Sequence, residues 1–379
     1  MHVTPSPRRT PVPLDRRTLN RTLLARQLLL ERTGMGAEKV VAHLLGLQSQ
    51  VPTSPYPGLW SRLDRFDFAE LGALLTERRV VRLTLMRGTV HLVTAEDALL
   101  LRPWMRPMFE RTLAVSQWAA GIKGVDRAEA VAHGRALLTE QPLTPAELRT
   151  ALGRRFPAAD PASLVNALRM WTPLVQLPPR GVWGAGGGPR YALLDDWLGA
   201  PPEPAALPGP SPTPASLVRR YLAAFGPATP ADMQKWSGLT GLKPAFTALD
   251  LRTYTDGEGR VLYDLPEAEL TDPDVPVPAR LVADFDNLVL SHADRTRVLA
   301  TEHKTRVISV NGLVRGMILV DGFVGGTWVF ARTKGTAAVV VTPFAPLSPA
   351  DRDTLAEEGA RLLAAADPGV AHDVRFMAP

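Results

Sequence analysis

Two glutamines separated by one residue, Gln48 and Gln50, are the first positions in this chain whose types and spacing can do chemistry. They lie in the run Leu47-Gln48-Ser49-Gln50-Val51-Pro52-Thr53-Ser54-Pro55-Tyr56-Pro57. Residues two apart point to different sides of a helix but share a face of an extended chain. Pro52 biases Val51 away from helical geometry. Pro55 and Pro57 keep the following turn irregular. In an extended chain the pair projects two carboxamides into one pocket, supplying donors and acceptors without a charge. The competing reading is a polar helix end with no chemical role.

A second polar cluster is Ser291-His292-Ala293-Asp294-Arg295-Thr296-Arg297, between segments that read as strands. It holds too few ligands at suitable spacing for a metal site. It reads either as a solvated loop or as a DNA-contacting loop, with Arg295 and Arg297 on phosphates or in the minor groove. His91 sits on a strand of a first hairpin, a setting that is usually structural but one from which histidine readily takes up chemistry. Arg82 and Arg87, near it, are further candidates for phosphate contacts. Gly184-Ala185-Gly186-Gly187-Gly188 lacks the Gly-Lys-Ser/Thr that completes a phosphate loop and opens no helix, so it reads as a flexible hairpin tip.

The elements that must position these residues follow from periodicity. Leu19, Leu23, Leu24, Gln27 and Leu28 predict a helix from Thr18. Further helices carry Val40 to Leu45, Trp60 with Leu63, and Phe68 to Leu75. The period then changes, and residues 80–86 and 89–93 read as two strands about a turn at Arg87-Gly88. Helices followed by a short hairpin are the winged-helix order. The order recurs over residues 127–193 and again from 216 to 264. Thr144-Pro145-Ala146-Glu147-Leu148 and Thr229-Pro230-Ala231-Asp232-Met233 give capped helix starts at like positions in the two units. Residues 201–214, half proline, read as a stiff linker. Beyond about residue 278 strands dominate, including one at residues 307–310, with a helix at 349–366 and a last strand at 372–376. That region reads as a small β-barrel or curled sheet. The expected fold class is α+β: a mobile arm (1–17), winged helices at 18–120, 121–200 and 215–278, and a C-terminal β domain at 279–379.

Composition narrows the classes. The 379 residues suffice for several compact units, and 45% of them are apolar. The formal net charge of +5 permits a polyanionic partner without proving one. Absence of cysteine excludes disulfides, thiolate-bound zinc, iron–sulfur clusters and a cysteine nucleophile. No apolar run approaches a membrane span, and the basic, proline-containing N-terminus has no secretory apolar core. A cytoplasmic protein is expected.

The Gln48-Ser49-Gln50-Val51-Pro52 run, with Ser54-Pro55-Tyr56 and Leu59-Trp60 after it, then Leu85-Met86-Arg87-Gly88-Thr89-Val90-His91-Leu92-Val93, resembles the AlkZ-like winged-helix DNA glycosylase superfamily. So do Asp284-Phe285-Asp286-Asn287-Leu288 with the Ser291 cluster, Asn311-Gly312, and residues 320–328. The resemblance spans about residues 19–376. It implies three tandem winged helices in a clamp with a C-terminal β domain, and excision of N7-alkylated purines from duplex DNA. It also implies self-resistance to DNA-alkylating natural products, crosslinkers among them. Its catalytic positions fall on Gln48 and Gln50. The residue between them is often apolar and here is Ser49, which removes a packing anchor but leaves both carboxamides.

Glycosidic cleavage passes through an oxocarbenium-like sugar. An N7-alkylguanine already carries the positive charge and leaves as a neutral base, so no strong general acid is needed. The carbonyl oxygens of a neutral glutamine pair can face the sugar cation and polarise a water. Ser291, His292, Arg295, Arg297, Arg87 and His91 are the expected DNA contacts, with approach from the minor groove. A monomer without cofactor or metal is expected. The rival class is a non-catalytic winged-helix regulator, which needs a basic surface but no particular residues at 48 and 50.

Overall fold

The structure is a computed structural model describing residues 12–200 and 213–379. Residues 12–15 belong to the folded body rather than to a mobile arm. β1 (Val12–Pro13) pairs in parallel with β7 (Arg252–Thr255). Leu14 is buried with Leu19, Tyr254 and Leu262. Residues 1–11 of the expected arm, and 201–212 of the expected linker, lie outside the described residues.

The first region runs through α1 (Arg16–Arg26), α2 (Ala37–His43), β2 (Leu47–Gln48), α3 (Pro55–Trp60), α4 (Phe68–Thr76), β3 (Val80–Thr84), β4 (Val90–Thr94), α5 (Ala95–Trp104) and α6 (Arg106–Ala114). The β3–β4 hairpin forms as its alternation predicts, with Arg87 and Gly88 in the turn at positive φ. The second region holds α7 (Arg127–Glu140), α8 (Pro145–Arg155), α9 (Pro161–Trp171), β5 (Leu174–Gln176), β6 (Tyr191–Leu193) and α10 (Leu194–Leu198). Thr144 caps α8 with a reciprocal box to Glu147. The two hairpins are not separate wings: β5 pairs with β3, giving one five-stranded sheet in the order β2-β4-β3-β5-β6.

The third region contains α11 (Pro214–Phe225), α12 (Pro230–Ser237), α13 (Lys243–Thr247), β7 and β8 (Val261–Asp264). Thr213 and Thr229 each start a helix with a capping box. The fourth holds β9 (Arg280–Val282), α14 (Asn287–Leu290), α15 (Lys304–Val307), β10 (Gly316–Val320), β11 (Phe323–Thr333), β12 (Thr336–Pro343), α16 (Pro349–Ala366) and β13 (Ala371–Phe376). The expected barrel is instead an open sheet, β13-β12-β11-β10-β9. Its last strand returns parallel to β12 after the α16 crossover, and among the described residues nothing joins β9 to β13. The strand expected at residues 307–310 is replaced by the end of α15 and a turn at Gly312.

The central sheet has two buried faces. Leu47, Val80 and Leu92 pack with Leu281, Ile318, Trp328, Leu355 and Leu362 of the C-terminal region. Val81, Leu83 and Val93 pack with Phe109, Tyr221, Met233 and Trp236, which ties the sheet to α6, α11 and α12. Burying such side chains contributes roughly 1.5–3 kcal/mol each, so the regions share their cores.

Candidate active site

Gln48 ends β2, and the chain follows β4 one residue further, where the Ser49 N–H donates to the Val90 carbonyl at 2.8 Å. Alternation along this edge sends Leu47 and Ser49 one way. Gln48 goes the other, beside His91, while Gln50 lies in the bend that follows β2. Gln48 is buried, in register with His91 of β4, which in turn faces Leu83 of β3. Gln50 is exposed, and its Oε1 receives only a long 3.4 Å approach from the Val90 N–H. Gly46, at φ +97°, lets this edge close on β4: a Cβ there would lie 2.8 Å from the Leu92 carbonyl oxygen.

Ser49 is fully buried and acts as a polar anchor. Arg82, on β3, donates from Nε to the Ser49 hydroxyl at 2.9 Å and from Nη2 to the Ser49 carbonyl at 3.0 Å. Burial pulls the Arg82 pKa down to about 10, so it stays charged at neutral pH. With 1% exposure, Arg82 is no phosphate contact in this structure; it fixes the backbone between the two glutamines.

On the opposite face, Arg87 reaches back from the hairpin turn. Its backbone is left-handed, φ 57° and ψ 13°, a conformation that costs about 1–2 kcal/mol for a residue with a Cβ. Nη2 donates to Gln48 Oε1 at 2.7 Å, and Nη1 donates to the Trp236 carbonyl near the C-terminus of α12. Cations are favoured at that end of a helix. Gly238, at φ +80°, lets α12 sit on the turn, since a Cβ there would lie 3.3 Å from the Arg87 backbone. Burial and the nearby Arg295 guanidinium lower the Arg87 pKa to about 10. Among the described residues neither Arg87 nor Arg295 has a carboxylate in ion-pair range.

His91 is fully buried, and burial with the adjacent Arg87 charge lowers its pKa to about 3. Its Nδ1 lies 3.1 Å from the Thr89 carbonyl, an acceptor, so Nδ1 carries the proton. Nε2, 3.5 Å from Arg87 Nη2, is then the acceptor. His91 is a neutral part of the pocket wall.

The 291–297 segment is placed differently from a solvated loop. Ser291 and His292 are buried at 0% and 1% exposure. His292 Nε2 donates to the Phe225 carbonyl at 3.0 Å, Nδ1 accepts from the Ser291 hydroxyl at 2.9 Å, and the Tyr221 hydroxyl donates to the Ser291 carbonyl at 2.7 Å. Burial lowers the His292 pKa to about 3. Arg297 is also buried and donates to the Pro227 carbonyl at 3.0 Å. These three residues join the C-terminal region to α11 and the turn after it, and offer nothing to an outside phosphate. Arg295 is the exception: it is half-buried and held through Nε by the Val289 carbonyl at 2.6 Å, its other nitrogens bond to no group among the described residues, and its charge is near enough to lower the Arg87 pKa. Among the described residues no group of histidines and acids could hold a metal. Nor is any helix long and apolar enough to cross a membrane.

A neutral carboxamide pair beside arginines, carried on helix-and-hairpin units, has the makings of a DNA glycosylase. The chain belongs to the AlkZ-like DNA glycosylase family, whose model matches residues 41–365. It is 27% identical over 345 residues to an interstrand DNA cross-link repair glycosylase of Streptomyces sahachiroi, covering 85% of this chain and 88% of that protein. The solved structure of Streptomyces sahachiroi DNA glycosylase AlkZ matches with a TM-score of 0.78 at 24% identity, over 97% of this chain and all of that one, which supports the fold. A shorter match, 28% identical over 188 residues, is to a Nocardia farcinica protein named histidinol dehydrogenase; it covers 45% of this chain and 41% of that protein.

Proposed function

We propose that this DNA glycosylase hydrolyses the N-glycosidic bond of N7-alkylated purines, N7-alkylguanine above all, including bulky or crosslinking natural-product adducts. The observation that carries this reading is that no general acid stands at the Gln48–Gln50 pair, whose only charged neighbour is the Arg87 guanidinium, protonated throughout the working range. His91 is uncharged there, and among the described residues no carboxylate or lysine hydrogen-bonds to either glutamine. Such a site gives a leaving base little protonation, and so suits a base that already carries its charge. The relative named for interstrand cross-link repair supports crosslinks as substrates.

Gln48 and Gln50 hold the attacking water and stabilise the sugar cation. The water oxygen bonds to C1′ as the C1′–N9 bond breaks. The N9 electron pair neutralises the purine, and the water proton passes to solvent. Each tenfold in rate needs only about 1.4 kcal/mol of preferential transition-state stabilisation. Arg295 meets backbone phosphates, whereas Arg87, the other expected contact, is engaged by Gln48 and the Trp236 carbonyl. The helix-and-hairpin units at about 18–120, 121–200 and 215–278, the first two joined through one sheet, grip the duplex as a winged-helix clamp from the minor-groove side. The protein acts as a monomer in self-resistance to DNA-alkylating agents.

The test is incubation with duplex containing N7-methylguanine, and with duplex carrying a bulkier N7 adduct, followed by detection of released base. Release is expected from both. No release from any cationic purine adduct, under conditions where the duplex is bound, overturns the reading.

A further inference from the structure

The two glutamines are not equivalent, and Arg87 makes them so. A charged guanidinium only donates. The Gln48 atom 2.7 Å from Arg87 Nη2 is therefore the amide oxygen. Turning the amide over would set its NH2 against the guanidinium and leave a charged donor unpaired, at a cost of about 1–3 kcal/mol or more. His91 does not compete for the opposite arrangement, because its Nε2 faces Arg87 as an acceptor. Arg87 is itself held from the other side by the Trp236 carbonyl. The orientation of Gln48 is thus fixed at both ends of one guanidinium.

The consequence lies in what remains. Gln48 has its two amide N–H groups left: among the described residues they donate to no protein group, and the amide nitrogen is not sealed from solvent. Gln50, two residues on, in the bend after β2 and exposed, has an amide oxygen engaged only by the 3.4 Å approach of the Val90 N–H. Even in a fully extended chain residues two apart lie only about 6.6 Å apart at their bases, a span that one water can bridge.

We propose that Arg87 is a positioning residue that polarises the pair: Gln48 is the donor and Gln50 the acceptor for the attacking water. The water oxygen accepts from Gln48 Nε2, one O–H donates to Gln50 Oε1, and the remaining lone pair faces C1′. As the O–C1′ bond forms and the C1′–N9 bond breaks, positive charge grows on the water. The Gln50 oxygen stabilises that charge, and the proton is lost to solvent along that bond. The assignment rests on the hydrolytic reading above.

The test compares Gln48→Glu with Gln50→Glu in single-turnover excision of N7-methylguanine from duplex DNA. Thermal melting of each variant verifies folding. A carboxylate has no N–H but accepts strongly. Gln50→Glu is therefore expected to excise at least about tenfold faster than Gln48→Glu, a difference of about 1.4 kcal/mol in the barrier. Its rate is expected to rise with pH through titration of the introduced carboxyl, a dependence absent from the parent. Arg87→Met releases the Gln48 amide and is expected to lower the rate with little change in duplex affinity, and Arg87→Lys to recover part of it. Equal losses in the two glutamate variants, or a greater loss in Gln50→Glu, overturn the assignment. Failure of the parent protein to release base is a separate result, and it counts against the hydrolytic reading instead.

Discussion

His91 lies directly opposite Gln48 in the antiparallel pairing of β2 with β4, and its Nε2 faces the same Arg87 nitrogen that holds the Gln48 carbonyl. The histidine is neutral across the working range because burial and Arg87 lower its pKa to about 3. Excision of a permanently cationic base is therefore expected to vary little between about pH 5 and 7, since no group touching the glutamine pair titrates there. A rate that follows a single ionisation near pH 6 would put a proton-transfer group in the site.

The same shift has a stability consequence. His91 and His292 both fall from 6.5 to about 3 in the folded protein. Below 6.5 the unfolded chain binds these protons and the folded chain does not. Stability is thus fully present above the unfolded value and is lost as pH falls from about 6.5 towards about 3. Urea midpoints measured from pH 7 to pH 4.5 should decline, and His292→Asn should flatten that decline. Parallel curves for parent and variant would remove His292 as a contributor.

Gln48→Ala and Gln50→Ala are each expected to reduce excision by about 100-fold or more, as loss of a preorganised transition-state dipole does. Duplex affinity should change by less than about threefold, because the effect falls on rate. Parent-like excision by both variants would make the pair structural.

The two arginines of the 291–297 segment should separate cleanly. Arg295→Ala should weaken duplex binding and reduce the slope of log affinity against log salt by about 0.9, the value for one phosphate contact. Arg297→Ala should instead lower the melting temperature, because the residue is buried and holds the Pro227 carbonyl. Unchanged salt dependence for Arg295→Ala would remove it from the interface.

Arg62 and Asp286 form a buried pair, with both guanidinium Nη atoms 2.8 Å from the two carboxylate oxygens at 0% and 1% side-chain exposure. Asp286 also caps α14. Asp286→Ala leaves an unpaired buried charge and is expected to cost about 3–5 kcal/mol. Chemical denaturation measures it, and a loss below about 1 kcal/mol, the range of exposed pairs, would contradict the burial of this pair.

Local signals were legible in the sequence and long-range ones were not. Val80 to Thr94 announce a hairpin through alternation, and Thr144 and Thr229 announce helix starts, because each depends on neighbours within a few residues. The glutamine spacing likewise predicts a shared face, but Gln50 lies in the bend after β2. By contrast, β5 joining β3 depends on partners about ninety residues apart, so the merged sheet leaves no local mark. Pro103 and Pro107 break the apolar repeat of α5 and α6. The 291–297 string looks solvated because it is polar, yet its partners are Phe225, Tyr221 and Pro227, far away in sequence. Arg82 beneath Ser49 and Arg87 above Gln48 are invisible until the hairpin folds over the motif.

The product is expected to be an intact abasic site with no strand cut by the protein itself. Cleavage through a covalent intermediate needs an amine that attacks C1′ and holds the sugar as a Schiff base, and so a lysine of lowered pKa in the pocket. The chain has few lysines. Lys39, on α2, is the nearest in sequence to the glutamines. Lys235 lies on α12 next to Trp236, whose carbonyl takes Arg87, but its side chain is exposed. A carboxamide cannot stand in for the amine, because its nitrogen lone pair is delocalised into the carbonyl. Water is left as the nucleophile. For the same reason uncharged lesions such as uracil should be spared, because an anionic leaving base demands more than two amides supply. Borohydride added during turnover checks this. A trapped protein–DNA adduct, or strand breaks without alkaline treatment, would overturn hydrolysis by water, and loss of that adduct in Lys235→Ala would name the amine responsible.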